Sequence, residues 1–149
     1  MKYRTLEEIA PEARVVPLHP EPRRALRRKR LERLAAVLEA HTGPLRLFSR
    51  AEYLPRDDRM LLRQDDSPLD LAFRDPVLRG EGLAGDRMRD ALAFFDLSWN
   101  QAHHLFCDCH YEGRATSKMV AGQVRSLAHR VTLGDLWDRL RASLKQRAA

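Results

Sequence analysis

"RDALAFFDLSWNQAHHLF", residues Arg89 to Phe106, reads as a helix, a short turn and a second helix. Ala91, Leu92 and Phe95 recur at the spacing of one helical face, and Ala102, Leu105 and Phe106 do the same in the second half. Leu97 is the apolar residue of the turn. Ser98 stands where an N-cap is needed, and Gln101 follows three residues later. That pair is a capping box: the hydroxyl accepts from an orphan backbone N–H and the amide bonds back to the cap.

The same signature recurs along the chain. Thr5 precedes Glu8, Ser49 precedes Glu52, Ser67 precedes Asp70 and Thr132 precedes Asp135. Pro68 occupies the first helical position after Ser67, where its missing N–H costs nothing. No stretch alternates with period two and β-branched residues, so strands are not expected. The fold class is therefore all-α: one domain over residues 1–149, with six or seven mostly short helices and one longer basic helix. The predicted map starts with a short helix near Leu6–Ala10. Residues 1–21 form a partly extended N-terminal arm and connector, because each proline of "PEARVVPLHPEP" disfavours helix in the residue before it. Helices are then expected over Pro22–His41, Arg50–Gln64, Pro68–Leu78, Asp86–Asp96, Trp99–Cys107, Ser117–Val131 and Leu133–Gln146.

A chain of 149 residues has the length of one domain. Its hydrophobic fraction of 44% supplies a core, and its charged fraction of 32% a well-solvated surface. No apolar run approaches the roughly 18 residues of a membrane span. The start, "MKYRTLEEIAPEARVV", lacks the apolar region of a secretory signal, so no membrane and a cytoplasmic location are expected. The two cysteines stand one residue apart in "CDC", a separation that strains disulfide geometry, and a reducing compartment fits them. The net charge of +6 favours acidic partners, nucleic acid first among them.

The charge is concentrated in "RRALRRKR", Arg23 to Arg30, with six basic residues in eight. Leu31, Leu34, Ala35 and Leu38 mark the core face of this helix. Extended backward, that face meets Arg27 and Arg23, which a core cannot accept unpaired. Cations at a helix N-terminus also oppose the macrodipole, at about 0.3–1 kcal/mol each. Arg23, Arg24, Arg27, Arg28, Lys29 and Arg30 are thus candidates for contact with nucleic acid or an acidic protein. The plainer reading is a solvated helix start that forms salt bridges to "RDD" or "QDD" nearby.

"QAHHLFCDCHY", Gln101 to Tyr111, gathers both cysteines and three of the six histidines. Projected as one helix, Ala102, Leu105, Phe106 and Cys109 form the core stripe, so Cys109 is expected to be buried. His103, Cys107 and His110 form a second stripe at separations that can hold one ion, and Zn²⁺ suits two imidazoles and a thiolate. His104, Asp108, His129 or a water would be the fourth ligand. The alternatives are a reactive thiol at Cys107, with His103 or His110 as its base, and ordinary helix packing. The helix pair at Arg89–Phe106 also has the outline of a DNA-binding helix-turn-helix. Its second helix carries no Arg or Lys, which favours a packing unit.

"DALAFFDLSWNQAHHLFCDCHY", with the following "ATSKMVAGQVRSLAHRV", resembles the C-terminal part of a loose group of small uncharacterised bacterial proteins. They carry a similar Leu-Ser/Thr-x-x-Gln-Ala-x-x-Leu-Phe segment before another helix. The Cys-Gly-Thr segment that often precedes it is absent here. The resemblance implies helices and no particular activity. No catalytic constellation stands out: "GEGLAG" at Gly80–Gly85 lacks the strand and lysine of a phosphate loop. Two functions remain, a small binding or regulatory protein acting through the basic helix, and a metal- or thiol-dependent protein centred on His103, Cys107 and His110.

Overall fold

A computed structural model describes residues 20–131 and Leu136. Among them are seven α-helices and no strand, as the capping signals require. Helix α1 spans Pro20–Ala40, α2 Arg56–Met60, α3 Pro68–Arg74, α4 Pro76–Gly80, α5 Met88–Phe95, α6 Trp99–Phe106 and α7 Ser117–Ala128. The expected helix near Leu6–Ala10 lies outside the described residues. So does the last one, save for Leu136, which is helical and exposed. No described helix is long and apolar enough to cross a membrane.

Helices α1 and α7 make the main pair. Leu31, Leu34, Ala35 and Leu38 of α1 are fully buried, and Val120, Ala121, Val124 and Ala128 of α7 form the facing stripe. Glu32 bonds to Arg125 and His129, while Glu39 bonds to Arg125, so the two helices run antiparallel. Phe95, Phe106, Leu69, Leu78 and Met88 fill the remaining core from the short helices.

The ion pairs at this seam give the domain an acid dependence. Burial pushes the Glu32 carboxyl up, but hydrogen bonds from Arg125 and His129 outweigh it and leave the group below its ordinary range. Arg125 also holds Glu39 down. A depressed carboxylate adds stability that is fully present above its unfolded pKa and is lost as pH falls through the folded one. Urea midpoints measured from about pH 6 to about pH 3 should therefore fall below the carboxylate range, and less so in Glu39→Gln than in the parent. The difference should be modest because these groups face solvent. Equal acid profiles for parent and variant would exclude the Glu39–Arg125 pair as a cause.

Two expected helices divide at prolines. The span Pro68–Leu78 breaks at Asp75, because Pro76 lacks the N–H that would continue α3. Asp75 turns the break into an N-cap, its Oδ2 accepting from Leu78 N–H at 3.0 Å. Pro55 likewise divides Arg50–Gln64. Ser49 makes no cap there, Arg50 adopts a left-handed φ of 54°, and only a 3₁₀ turn at Ala51–Tyr53 precedes α2. Ser98 and Gln101 form their capping box as read, and Ser67 caps Asp70 N–H.

The remaining connection positions the site. Phe48 N–H donates to Phe106 O at 2.9 Å, and Asp108 N–H donates to Phe48 O at 2.9 Å. This isolated parallel bridge between Phe48 and Cys107 stitches the strap before the 3₁₀ turn to the end of α6.

Candidate metal centre

The bridge stops α6 at Phe106. Cys107 caps it in an extended conformation, φ −94° and ψ 137°, and Asp108–His110 follow as a 3₁₀ turn. Helical projection therefore fails beyond Phe106, and it fails in a definite way. Cys107 points inward and is fully buried, whereas Cys109 is exposed. The expected roles of the two cysteines are reversed. Cys107 is the core residue, its thiol pushed up to about 12 by burial and then by the neighbouring Cys109 and Glu52. A thiol so held remains protonated and is a poor ligand and a poor nucleophile.

The tight turn swings Cys109 and His110 back over the flank of α6. His103 Nδ1 lies 3.0 Å from His110 Nε2, and His103 Nε2 lies 4.0 Å from Cys109 Sγ. One donor atom from each of His103, Cys109 and His110 falls within 4.8 Å of the others. A tetrahedral zinc holds neighbouring donors roughly 3.3–3.8 Å apart, given its usual bond lengths. The short contacts of His103 with His110 and with Cys109 run through its opposite ring nitrogens. His103 can turn only one nitrogen toward such an ion. The predicted trio of His103, Cys107 and His110 thus keeps its histidines and exchanges its cysteine.

A carboxylate stands beside one member of this trio. Glu52, on the 3₁₀ turn, places Oε2 3.5 Å from His103 Nε2. Its own backbone N–H, with help from His103, holds the carboxyl below its ordinary range. Burial, then repulsion from His104 and His103, lowers His110, which favours the neutral imidazole that a metal requires. His104 packs its ring 4.7 Å from that of His110. His129, another expected fourth ligand, bonds to Glu32 instead. In the sequence Glu52 has a sign only as the capping partner of Ser49. Fifty-one positions separate it from His103, and no local pattern signals that approach.

The basic helix is largely committed to its own domain. Arg23 grips both oxygens of Asp96, with Nε to Oδ2 at 2.9 Å. Arg27 Nε donates to Asp96 O at 3.2 Å. Lys29 pairs with Glu81 at 2.5 Å, and Arg30 donates to Phe94 O at 2.7 Å and Glu81 O at 3.2 Å. Four of the six candidate contacts therefore anchor α1 to the turns around α5. The partners are Asp96 and Glu81 rather than the "RDD" and "QDD" carboxylates. Arg24 and Arg28 complete the set beside a recess near the end of α7. The outline of a helix-turn-helix is occupied by the same contacts: Asp96, its turn residue, takes a left-handed φ of 52° and holds Arg23.

No family model, curated protein or solved structure matches the chain.

Proposed function

We infer that the protein is a metal-binding domain of the zinc class. His103, Cys109 and His110 supply the ligands and Glu52 closes the coordination shell. The convergence of His103, Cys109 and His110 at the point where α6 gives way to a 3₁₀ turn supports this reading, and Glu52 reaches the His103 ring. With Glu52 as the fourth ligand the shell has no open position, the arrangement of a structural rather than a catalytic zinc. Such an ion would clasp the turn at Ala51–Tyr53 to the end of α6, beside the Phe48–Cys107 bridge.

Cobalt titration of chelator-stripped full-length protein tests the reading. One equivalent of Co²⁺ should bind, with the near-ultraviolet absorption of a thiolate ligand. His103→Ala, Cys109→Ser and His110→Ala should each weaken binding at least tenfold, and Glu52→Gln should weaken it about tenfold. Cys107→Ala should keep the cobalt–thiolate band. In the metal-free native protein, Cys109 should react with a thiol reagent, and bound metal should protect it. Failure of the folded protein to bind Co²⁺ or Zn²⁺ would refute the reading. A thiolate band that vanished in Cys107→Ala and survived in Cys109→Ser would refute the ligand set.

A further inference from the structure

The two cysteines differ in what an oxidant can do to them. Cys109 is exposed and lies among the ligands, with its Sγ 4.0 Å from His103 Nε2, whereas Cys107 is fully buried. A bound cation holds a ligand cysteine as the thiolate, and the thiolate is the form that attacks an oxidant. Coordination occupies one lone pair of the sulfur and leaves others. Hydrogen peroxide is small enough to reach them where the ion shields the sulfur from larger thiol reagents. The imidazoles of His103 and His110 and the carboxylate of Glu52 have no comparable reaction.

A neighbouring cysteine often resolves an oxidised one by forming a disulfide. Cys107 is the only other cysteine of the chain, and its placement prevents that reaction. Its side chain is enclosed in the core, while that of Cys109 faces out. Side chains that point apart cannot be bridged without moving the backbone between them. That backbone is held on both sides. Cys107 N–H donates to His103 O at 3.0 Å, Asp108 N–H to Phe48 O at 2.9 Å and Tyr111 N–H to Asp108 O at 2.9 Å. Burial also keeps the Cys107 thiol protonated and so unreactive.

We propose that the metal centre is a peroxide-sensitive switch, in which oxidation of Cys109 alone releases the ion. The switch rests on the zinc reading given above. The Cys109 thiolate attacks one oxygen of hydrogen peroxide. An S–O bond forms, the O–O bond breaks and hydroxide leaves, so the sulfur loses the two electrons that the peroxide gains. The resulting sulfenic acid is a far weaker ligand than the thiolate, and His103, His110 and Glu52 remain as the other donors. A small thiol such as glutathione then condenses with the sulfenic acid, giving a mixed disulfide and water. A second molecule of that thiol attacks the mixed disulfide, expels the Cys109 thiolate and restores the site. Between the two events the turn at Ala51–Tyr53, which carries Glu52, is free of the metal clasp.

Full-length protein loaded with Co²⁺, and a second sample loaded with Zn²⁺, supply the test. The cobalt–thiolate band, recorded before any oxidant is added, tests the zinc reading by itself. Hydrogen peroxide should then abolish the band. In the zinc sample a chromogenic chelator should register about one equivalent of metal released for each Cys109 oxidised. Dimedone, which traps sulfenic acids, should label Cys109 and leave Cys107 unlabelled in mass spectra of the digested protein. Glutathione should replace that label with a mixed disulfide at Cys109, and dithiothreitol with added Co²⁺ should restore the band. Cys107→Ala should release its metal at a rate within about twofold of the parent, because Cys107 has no part in the reaction. A loaded protein whose band survives peroxide would overturn the switch and leave the zinc reading standing. Retention of metal after Cys109 has been oxidised, or a disulfide between Cys107 and Cys109, would do the same. Absence of the band before oxidation would overturn the zinc reading, and the switch with it.

Discussion

Phe106→Ala should destabilise the domain by about 3–5 kcal/mol, a large share of the stability of an ordinary domain of this size. Phe106 is fully buried at the last position of α6. The backbone around it cannot easily collapse into the space left behind. Its carbonyl accepts from Phe48 N–H, and Asp108 N–H, two residues on, donates to Phe48 O. A cavity held open in this way costs both the transfer energy of the ring and the contacts its lining loses. Phe106→Leu, which keeps most of the volume, should cost under about 1.5 kcal/mol. Val77→Ala, at a residue 44% exposed, should stay within about 0.5 kcal/mol. Urea midpoints at unchanged m-value measure all three. Equal losses for Phe106→Ala and Val77→Ala would show that this end of α6 does not close the core.

The second large effect is expected at Arg30, where a basic helix read for outside contact has an inside task. The Arg30 side chain is only 18% exposed. Its guanidinium lies 3.9 Å from the centroid of the Phe94 ring and donates to two backbone carbonyls. One of them, Phe94 O, belongs to the last turn of α5, whose carbonyls have no partner within the helix. A cation at that end also meets the negative pole of the helix. Nε stands 3.5 Å from the Glu81 carboxylate without a hydrogen bond, so the grip depends on the fork of the guanidinium. Arg30→Ala should cost about 2–3 kcal/mol, because two part-buried acceptors lose a charged donor and Phe94 loses its covering. Arg30→Lys should recover less than half of the loss, since an ammonium cannot serve both carbonyls and cover the ring. Arg28→Ala should change stability by less than about 0.5 kcal/mol. Like costs at Arg28 and Arg30 would return the helix to a uniformly solvated charge run.

What could be read from sequence, and what could not, divides along the range of the interactions. The box at Ser98 and Gln101 and the stripes Leu31–Leu38 and Ala102–Phe106 depend on residues three or four apart. They were legible and are present. The divisions at Pro55 and Pro76 are local too, and their rule was available; periodic apolar residues on both sides concealed them. The end of α6 is different. It is set by a strap some sixty residues earlier, so the face of Cys107 and the approach of Glu52 had no local sign. The same holds for α1, where the count of arginines was plain and their carboxylate partners were not. His103 and His110 were legible as a pair because the histidines gather in one segment. The choice between two cysteines one residue apart depended on a single hydrogen-bonded bridge.

The antiparallel pairing of α1 with α7 has a consequence for synthesis. Glu32 and His129, which meet at this seam, are 97 positions apart. While the ribosome makes the intervening chain, the Leu31, Leu34 and Leu38 face has no lasting cover. At ordinary elongation rates that interval is on the order of ten seconds, far longer than hydrophobic collapse takes. The cations at the start of α1 can already pair with Asp96 and Glu81 once the turns around α5 are made, so the short helices gather on α1 before α7 exists. The seam between α1 and α7 therefore cannot form until α7 has been made. A nascent chain stalled before Ser117 would present a bare leucine stripe to chaperones and proteases.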